Sequence, residues 1–385
     1  MDIVYIDSNA SLALSCDTIR LSKVLCVDTE FHRETTYYPE LALIQISNGD
    51  KTCCIDPLAI TDFTPLLAIF KNANITKVFH ASHQDLEIFN NLFDTLPSPV
   101  FDTQIAASLL GYGDQIGYAG LIKKELNIDI DKSQTRTDWL KRPLNNKQLL
   151  YAASDVYYLA KAYPILAGKL ESLDRLEWLK SDFSSLSDPD HYKVDTQGIW
   201  KKVKGNQKLK GEALVMLQAI AAWREETAQV RNRPRRRILP DDALIDIARL
   251  KPDTPEKITQ LRSLNKSRLS KEDASQIIQR MKNAQRLPKE HWPKHAKRHK
   301  LNPREDALVD AMSCLLKLKA DEHNITPLNL ASRKDLEGLL QGQTDIPLLQ
   351  GWRYLHAGQV IEEFLSGNCF LQASSGELVH KKFED

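Results

Sequence analysis

Four carboxylates and one tyrosine stand out in this chain, because each lies beside a short apolar run. Asp28 and Glu30 follow one such run, and Asp85 follows another. Tyr151 and Asp155 lie within a third apolar segment. Carboxylates anchored to buried structure are costly unless positive charge meets them, and a pair of hard divalent cations is the obvious candidate.

The spacing within each segment indicates that these side chains converge. Side chains alternate along a strand, so Asp28 and Glu30 face the same side. Tyr151 and Asp155 are four positions apart on a predicted helix and therefore share a face. Asp85 begins or precedes a helix that follows a strand. Such elements can meet at the carboxyl edge of one sheet, where open α/β folds place their sites.

Two Mg²⁺ ions about 4 Å apart would relieve the repulsion and would also support phosphodiester cleavage. One ion, bound by Glu30 and Asp155, would activate a water, and the other ion would stabilise the leaving 3′ oxygen. Asp28 could bridge both ions, and Asp85 could help to hold the second ion, mainly through bound water. Tyr151 would orient the attacking water, since an unperturbed pKa near 10 argues against a simple general-base role at neutral pH.

The elements that must position these residues alternate between strand and helix in the first half of the chain. An Asn48-Gly49-Asp50 sequence predicts a hairpin turn between two of the strands. Asp102 is expected to cap a helix rather than to act as a further ligand. Apolar runs predict strands at 24–27, 41–47, 52–55 and 77–80, and helices at 64–71, 85–93, 101–110, 121–126 and 146–170, with a potential break at Pro164. The pattern indicates a mixed α/β domain.

The second half is helical in pattern and basic. Residues 1–200 contain 18 Lys and Arg against 27 Asp and Glu, whereas residues 201–385 contain 34 against 24. This asymmetry suggests a catalytic part and an accessory part that attracts polyanions, although it could equally be a solvated surface without consequence. Five arginines lie within seven residues and could bind phosphates, or part of the run could pack on an acidic surface; they are Arg231, Arg233, Arg235, Arg236 and Arg237.

Several protein classes fit the sequence poorly. No apolar run reaches the length of a membrane span, and the first residues do not resemble a signal peptide. The six cysteines include no CxxC pair, which is typical of reduced thiols in a cytoplasmic protein. No Walker A motif is present, so an ATP-driven enzyme is disfavoured.

The three acidic segments, in this order, resemble the motifs of the DEDD 3′→5′ exonuclease superfamily. Segment 27–31 is similar to the first motif, 80–86 to the second, and 151–155 to the third in its tyrosine variant. The second motif departs from the usual form, because Ser82 and Gln84 stand where an Asn and an aromatic residue are expected. The second half divides into two helical units, roughly 207–290 and 300–375. The resemblance extends to the bacterial ribonuclease D family through segments 39–46 and 101–104 and through these two units.

The resemblance implies a ribonuclease H-like α/β catalytic domain with a mixed sheet over residues 1–200, followed by two all-α HRDC-like domains over 207–290 and 300–375. It implies an enzyme that releases 5′-mononucleotides from RNA with a single-stranded 3′ end, such as tRNA precursors and other small structured RNAs. It further implies a cytoplasmic monomer that needs neither ATP nor a membrane. Two Mg²⁺ or Mn²⁺ ions would serve as cofactors, and Zn²⁺ could occupy the same site in crystals. The implied metal ligands are Asp28, Glu30, Asp85 and Asp155, with Tyr151 positioning the water.

Two alternatives stay open at this point. The first is a DNA 3′→5′ exonuclease of the same fold, although no polymerase-like or helicase-like region accompanies it. The second is a non-catalytic RNA-binding scaffold, for which the loss of a motif acid would be expected. All four acids are present.

Overall fold

The computed structural model describes residues 1–264, 269–295 and 300–383. These form two compact units. Of the described residues, the first unit contains 1–30, 41–191 and 300–383, and the second contains 31–40, 192–264 and 269–295. All four motif acids therefore belong to the first unit.

A six-stranded sheet forms the centre of the first unit, in the order β1-β4-β3-β2-β5-β6. Pairs β1/β4, β2/β5 and β5/β6 are parallel and β3/β4 is antiparallel, so the sheet is mixed, as predicted. The predicted hairpin turn joins β3 to β4, with the Asn48 side chain accepting the Lys51 amide at 2.8 Å. The strands are β1 (Ile3–Ile6), β2 (Val24–His32), β3 (Glu40–Ser47), β4 (Thr52–Ile55), β5 (Thr76–Phe79) and β6 (Val100–Asp102).

Helices cover this sheet. Burial of long apolar runs holds the layers together, and Leu25, Cys26 and Val27 of β2 are completely buried. The helices are α1 (Asn9–Ile19), α2 (Thr64–Lys71), α3 (His83–Phe93), α4 (Thr103–Ser108), α5 (Tyr118–Leu126), α6 (Asn146–Ser172) and α7 (Lys180–Leu186).

Two local predictions in this unit need correction. The helix predicted at 101–110 is shorter, because Val100–Asp102 pairs with β5 as the edge strand and α4 begins only at Thr103. The potential break at Pro164 does not occur, since α6 continues through it to Ser172. A capping box between Asn145 and Gln148 fixes the start of α6.

Residues 300–383 pack within the first unit. The Trp178 ring stacks on Trp352 at 4.5 Å, and buried Arg175 donates to the carbonyl oxygens of Leu109 and His323 at 2.5 and 2.6 Å. A π-helical turn, Tyr354–Gly358, joins helix α15 (Gly351–Arg353) to helix α16 (Gln359–Leu365). A β-hairpin for which the sequence pattern gives no prediction follows these helices. The elements are α13 (Pro303–Glu322), α14 (Arg333–Leu340), α15 (Gly351–Arg353), α16 (Gln359–Leu365), β7 (Cys369–Ser374) and β8 (Glu377–Lys382).

The second unit is helical around its own apolar core, which includes Trp200, Leu217 and Ile247. Its helices are α8 (Gly211–Val230), α9 (Arg235–Ile238), α10 (Asp241–Leu250), α11 (Pro255–Thr259) and α12 (Lys271–Gln285). Short 3₁₀ turns such as Ile199–Lys202 and Asn206–Lys208 precede α8.

In the parts of the chain that the structure describes, no helix has both the length and the apolar character needed to span a bilayer.

Candidate active site

Burial and mutual repulsion connect all four motif acids. Burial raises the pKa of Asp28 to about 6. Burial raises the pKa of Glu30 to about 9, together with the negative charges of Asp28, Asp155 and Asp85. The pKa values of Asp85 and Asp155 lie well above the ordinary range, again through burial first and the charge of Asp28 second. The fold therefore brings the four acids into one electrostatic cluster.

Asp28 and Glu30 are held by β2, which lies inside the sheet between β3 and β5. The intervening Thr29 is buried, and its hydroxyl donates a hydrogen bond to the Asp85 carboxylate. This bond ties the second acidic segment to the first across 56 positions of the chain. The second segment is thus anchored by the strand that carries the first.

Asp102 fixes the turn that leads into α3, the helix that carries Asp85. Its carboxylate accepts the Ser82 amide and the Ser82 hydroxyl at 2.8 Å each, and the amide of Ala81, whose φ of 59° is left-handed, at 3.2 Å. The same side chain caps α4 by accepting the Gln104 amide at 2.8 Å. The prediction that Asp102 is a capping acid is confirmed, and its position also orients the second acidic segment.

Tyr151 and Asp155 lie one turn apart on α6. The Thr135 hydroxyl is 3.4 Å from the Tyr151 hydroxyl, and the Trp139 ring packs 6.0 Å from the Tyr151 ring. Burial, together with the negative charge of nearby Asp155, raises the pKa of Tyr151 to about 12. The phenol is therefore protonated at neutral pH and can act as a hydrogen-bond donor.

A cavity of about 500 Å³ opens beside these residues. Asp28, Tyr151 and Asp155 line it, together with His80 and Lys132. Glu30 and Asp85 act on the cluster through their charges. The cavity is large enough for a nucleotide-sized group and has carboxylates on its wall.

Two residues on the cavity wall, Tyr118 and Lys132, were not identified from sequence, and His80 and Thr135 also line this wall. Lys132 and Thr135 come from the polar loop directly before α6, and Tyr118 donates to the Ser154 carbonyl oxygen at 2.9 Å. His80 lies within 3.0 Å of the Thr103 hydroxyl through Nδ1, while burial lowers its pKa. Its Nε2 is buried without a hydrogen-bond partner in the described residues. The polar composition of the loop directly before α6 was the feature of the sequence that could have indicated Lys132 and Thr135.

The arginine-rich run divides into two groups. Arg231 pairs with Asp273 at 2.5 Å, and Arg235 forms a forked pair with the completely buried Glu225. The remaining members, Arg233, Arg236 and Arg237, are exposed. Contact of the run with RNA stays a prediction, and these three side chains are the ones available for it.

Comparison with known proteins gives two family matches. A model described as 3′–5′ exonuclease matches residues 3–171, and a model described as HRDC domain matches residues 213–279. The predicted assignment of residues 300–375 to a second HRDC-like domain stays a prediction.

Curated relatives and solved structures agree with these matches. The chain is 39% identical to ribonuclease D of Bartonella henselae over 380 residues, covering 98% of this chain and 93% of that protein. Ribonuclease D of Zymomonas mobilis is 37% identical, with 97% and 96% covered. The crystal structure of Escherichia coli RNase D superposes with a TM-score of 0.83 at 31% identity, covering 95% of this chain and 99% of that one. The catalytic core of RRP6 from Trypanosoma brucei, 21% identical with a TM-score of 0.58 over 74% of this chain and 79% of that one, shares the fold.

These findings confirm the predicted fold class, a ribonuclease H-like exonuclease domain with a mixed sheet followed by a helical HRDC domain. They also establish the chain as a nuclease, of a fold that generally uses divalent metal ions. The chain belongs to the ribonuclease D family.

Proposed function

We propose that this enzyme removes nucleotides one at a time from the single-stranded 3′ end of structured RNA, releasing 5′-mononucleotides. The observation that carries the proposal is the electrostatic cluster of Asp28, Glu30, Asp85 and Asp155 beside the cavity. Precursors of tRNA are the candidate natural substrates. The similarity to E. coli RNase D, described as an exoribonuclease involved in structured RNA processing, supports this substrate class.

The donor atoms of the cluster suit two Mg²⁺ or Mn²⁺ ions. All four side chains offer carboxylate oxygens, the ligands that these hard cations prefer. Buried carboxylates with raised pKa values are poorly stabilised by their surroundings, so a bound cation would relieve the burial and the repulsion together. Asp28, Glu30, Asp85 and Asp155 are the proposed ligands. When bound, such ions would activate the attacking water and stabilise charge on the phosphate and the leaving 3′ oxygen.

The other residues of the cavity have supporting roles in the proposal. The protonated hydroxyl of Tyr151 orients the attacking water by hydrogen bonding, because its pKa of about 12 leaves it unsuited to remove a proton at pH 7. Lys132 offers positive charge on the cavity wall where a phosphate would enter. Tyr118 closes part of the same wall through its hydrogen bond to Ser154.

The test is metal-dependent release of mononucleotides from a tRNA with a 3′ extension. Asp28→Asn and Asp155→Asn should each abolish release while RNA binding persists. Asp50→Asn provides the matched control, because Asp50 is an exposed acid in the turn between β3 and β4. Activity should depend on Mg²⁺ or Mn²⁺ and be lost with a chelator.

Other outcomes would favour the alternatives. Equal rates on DNA and RNA of the same sequence would favour a DNA exonuclease. RNA binding without release of any nucleotide by the wild-type protein would favour the scaffold. Full activity in Asp28→Asn would contradict the assignment of this acid.

A further inference from the structure

A second set of potential metal ligands lies in the C-terminal hairpin. Cys369 of β7 pairs with Lys382 of β8, and Leu371 pairs with His380. Paired residues on neighbouring strands share a face, so Cys369 lies on the face of Lys382. Side chains two positions apart on one strand also share a face, so His380 lies on that face too. Glu363 approaches them from α16. One ligand atom from each of Glu363, Cys369 and His380 lies within 4.8 Å of the others.

Two polar atoms of this cluster lack partners. Glu363 Oε2 and His380 Nε2 are buried and have no hydrogen-bond partner among the described residues. The other oxygen, Oε1 of Glu363, accepts from Lys382 Nζ at 2.9 Å and from Gln359 at 3.3 Å. The Cys369 thiol is buried and makes only a weak 3.8 Å contact with the Val360 carbonyl oxygen. Two unpaired polar atoms beside a buried thiol are a favourable setting for a bound cation.

The chemistry of the three side chains selects the ligand class. A thiolate, an imidazole and a carboxylate are the donors of Zn²⁺ sites, whereas Mg²⁺ prefers oxygen alone. Ligand atoms around one Zn²⁺ stand about 3–4 Å apart, given Zn–N and Zn–S distances near 2.0 and 2.3 Å. The side chains would therefore need to close by about 1 Å, which rotamer adjustments on a short hairpin can supply.

We propose that Glu363, Cys369 and His380 form a site for Zn²⁺ or a similar transition-metal ion, separate from the catalytic carboxylates. Three protein ligands leave a fourth position for water. The Cys369 thiol loses its proton to solvent as the sulfur–metal bond forms, and Glu363 binds through Oε2 while Lys382 keeps its bond to Oε1. The ion would fasten the hairpin to α16.

Cobalt distinguishes this site from the catalytic one, because only the hairpin site contains sulfur. The full-length protein is freed of metal with a chelator and titrated with Co²⁺ alone. Binding at the hairpin should produce a thiolate-to-cobalt charge-transfer band in the near ultraviolet, and Zn²⁺ should remove the band by displacing Co²⁺. Asp28→Asn should retain the band, since that variant changes only the catalytic cluster.

Two cysteine variants form a matched pair. Cys369→Ser should abolish the band, and Cys314→Ser should retain it, because Cys314 lies on α13 and is not part of the cluster. His380→Ala should weaken Co²⁺ binding by more than about 100-fold, because removing a direct ligand costs more than removing a group that only orients one. The absence of the band in the wild-type protein would overturn the proposal without reliance on any variant. A band that survives Cys369→Ser would overturn it as well.

Discussion

Replacing Arg235 by alanine should destabilise the second unit, whereas the same change at the adjacent Arg236 should not. Arg235 donates to both oxygens of Glu225, with Nη2 at 2.7 Å from Oε1. The Glu225 side chain is completely buried, and it also accepts from the Tyr37 hydroxyl. Arg236 is exposed. The two variants therefore remove the same charge from two different environments.

The size of the effect follows from burial. Removing one partner of a buried ion pair costs about 3–5 kcal/mol, because the other charge is left uncompensated. Arg235 is 39% exposed and Tyr37 still donates to Glu225, so solvent screening reduces the expected loss to about 2–3 kcal/mol. Arg236→Ala should change the free energy of unfolding by less than about 0.5 kcal/mol.

Hydrogen exchange measures this unit separately from the catalytic one. Amides of α8 and α10 should exchange faster in Arg235→Ala and at the wild-type rate in Arg236→Ala. RNA binding should show the opposite dependence: Arg236→Ala should weaken affinity and reduce the salt slope by about 0.7 per lost contact with a single strand. If Arg235→Ala left exchange unchanged, or Arg236→Ala accelerated it equally, the division of the arginines into structural and exposed groups would be refuted.

Three other side chains give measurable expectations. Tyr151→Phe should lower kcat about 100-fold with little change in KM, because the hydroxyl that orients water is lost while the ring remains; single-turnover kinetics on RNA would check this. Asp56 is buried, and although burial raises its pKa, hydrogen bonds from Arg142 and Tyr5 hold that pKa below its ordinary value. The carboxylate therefore stabilises the fold fully above its unfolded pKa near 3.9, and this contribution is lost as pH falls through the lower folded pKa. Asp56→Asn should thus be less stable than wild type by about 2–3 kcal/mol at pH 7, and urea unfolding at decreasing pH should show this difference shrinking only below about pH 4. Trp178→Ala should lower the free energy of unfolding by about 2 kcal/mol and expose residues 300–383 to proteolysis, since the half-buried ring stacks on Trp352.

Two pairs of candidate site residues could be placed on shared faces from the sequence, because their geometry is local. An i, i+2 pair on a strand and an i, i+4 pair on a helix share a face whatever surrounds them. Helix α2 and strand β4 match their predicted bounds for the same reason, since apolar periodicity is a property of adjacent residues. Only the meeting of the segments required the fold, and the Thr29–Asp85 hydrogen bond shows how it is achieved.

Features that depend on distant partners could not be predicted in this way. The sequence shows five arginines within seven residues. It does not show that Arg231 is paired with Asp273, which lies 42 positions further along the chain. Phe101 and Asp102 lie inside the predicted helix 101–110, yet β5 offers them a free strand edge, and tertiary pairing overrides local propensity. The C-terminal hairpin is half exposed, so its strands lack the apolar alternation that would have revealed them.

The same energetics that make the acid cluster recognisable also explain its chemistry. Burial alone would favour neutral carboxyls, and the charge of Asp28 opposes the ionisation of Glu30, Asp85 and Asp155 in turn. This arrangement lowers the stability of the fold when no cation is bound. The hydrogen bonds of Thr29 and Asp102 and the capping box of α6 must offset that loss of stability. A site held in this unfavourable state gains more from a divalent cation than a solvated cluster would, because binding removes a repulsion that the protein cannot relieve by itself. The proposed affinity for metal and the loss of stability therefore have one cause, the burial and mutual repulsion of the four carboxylates.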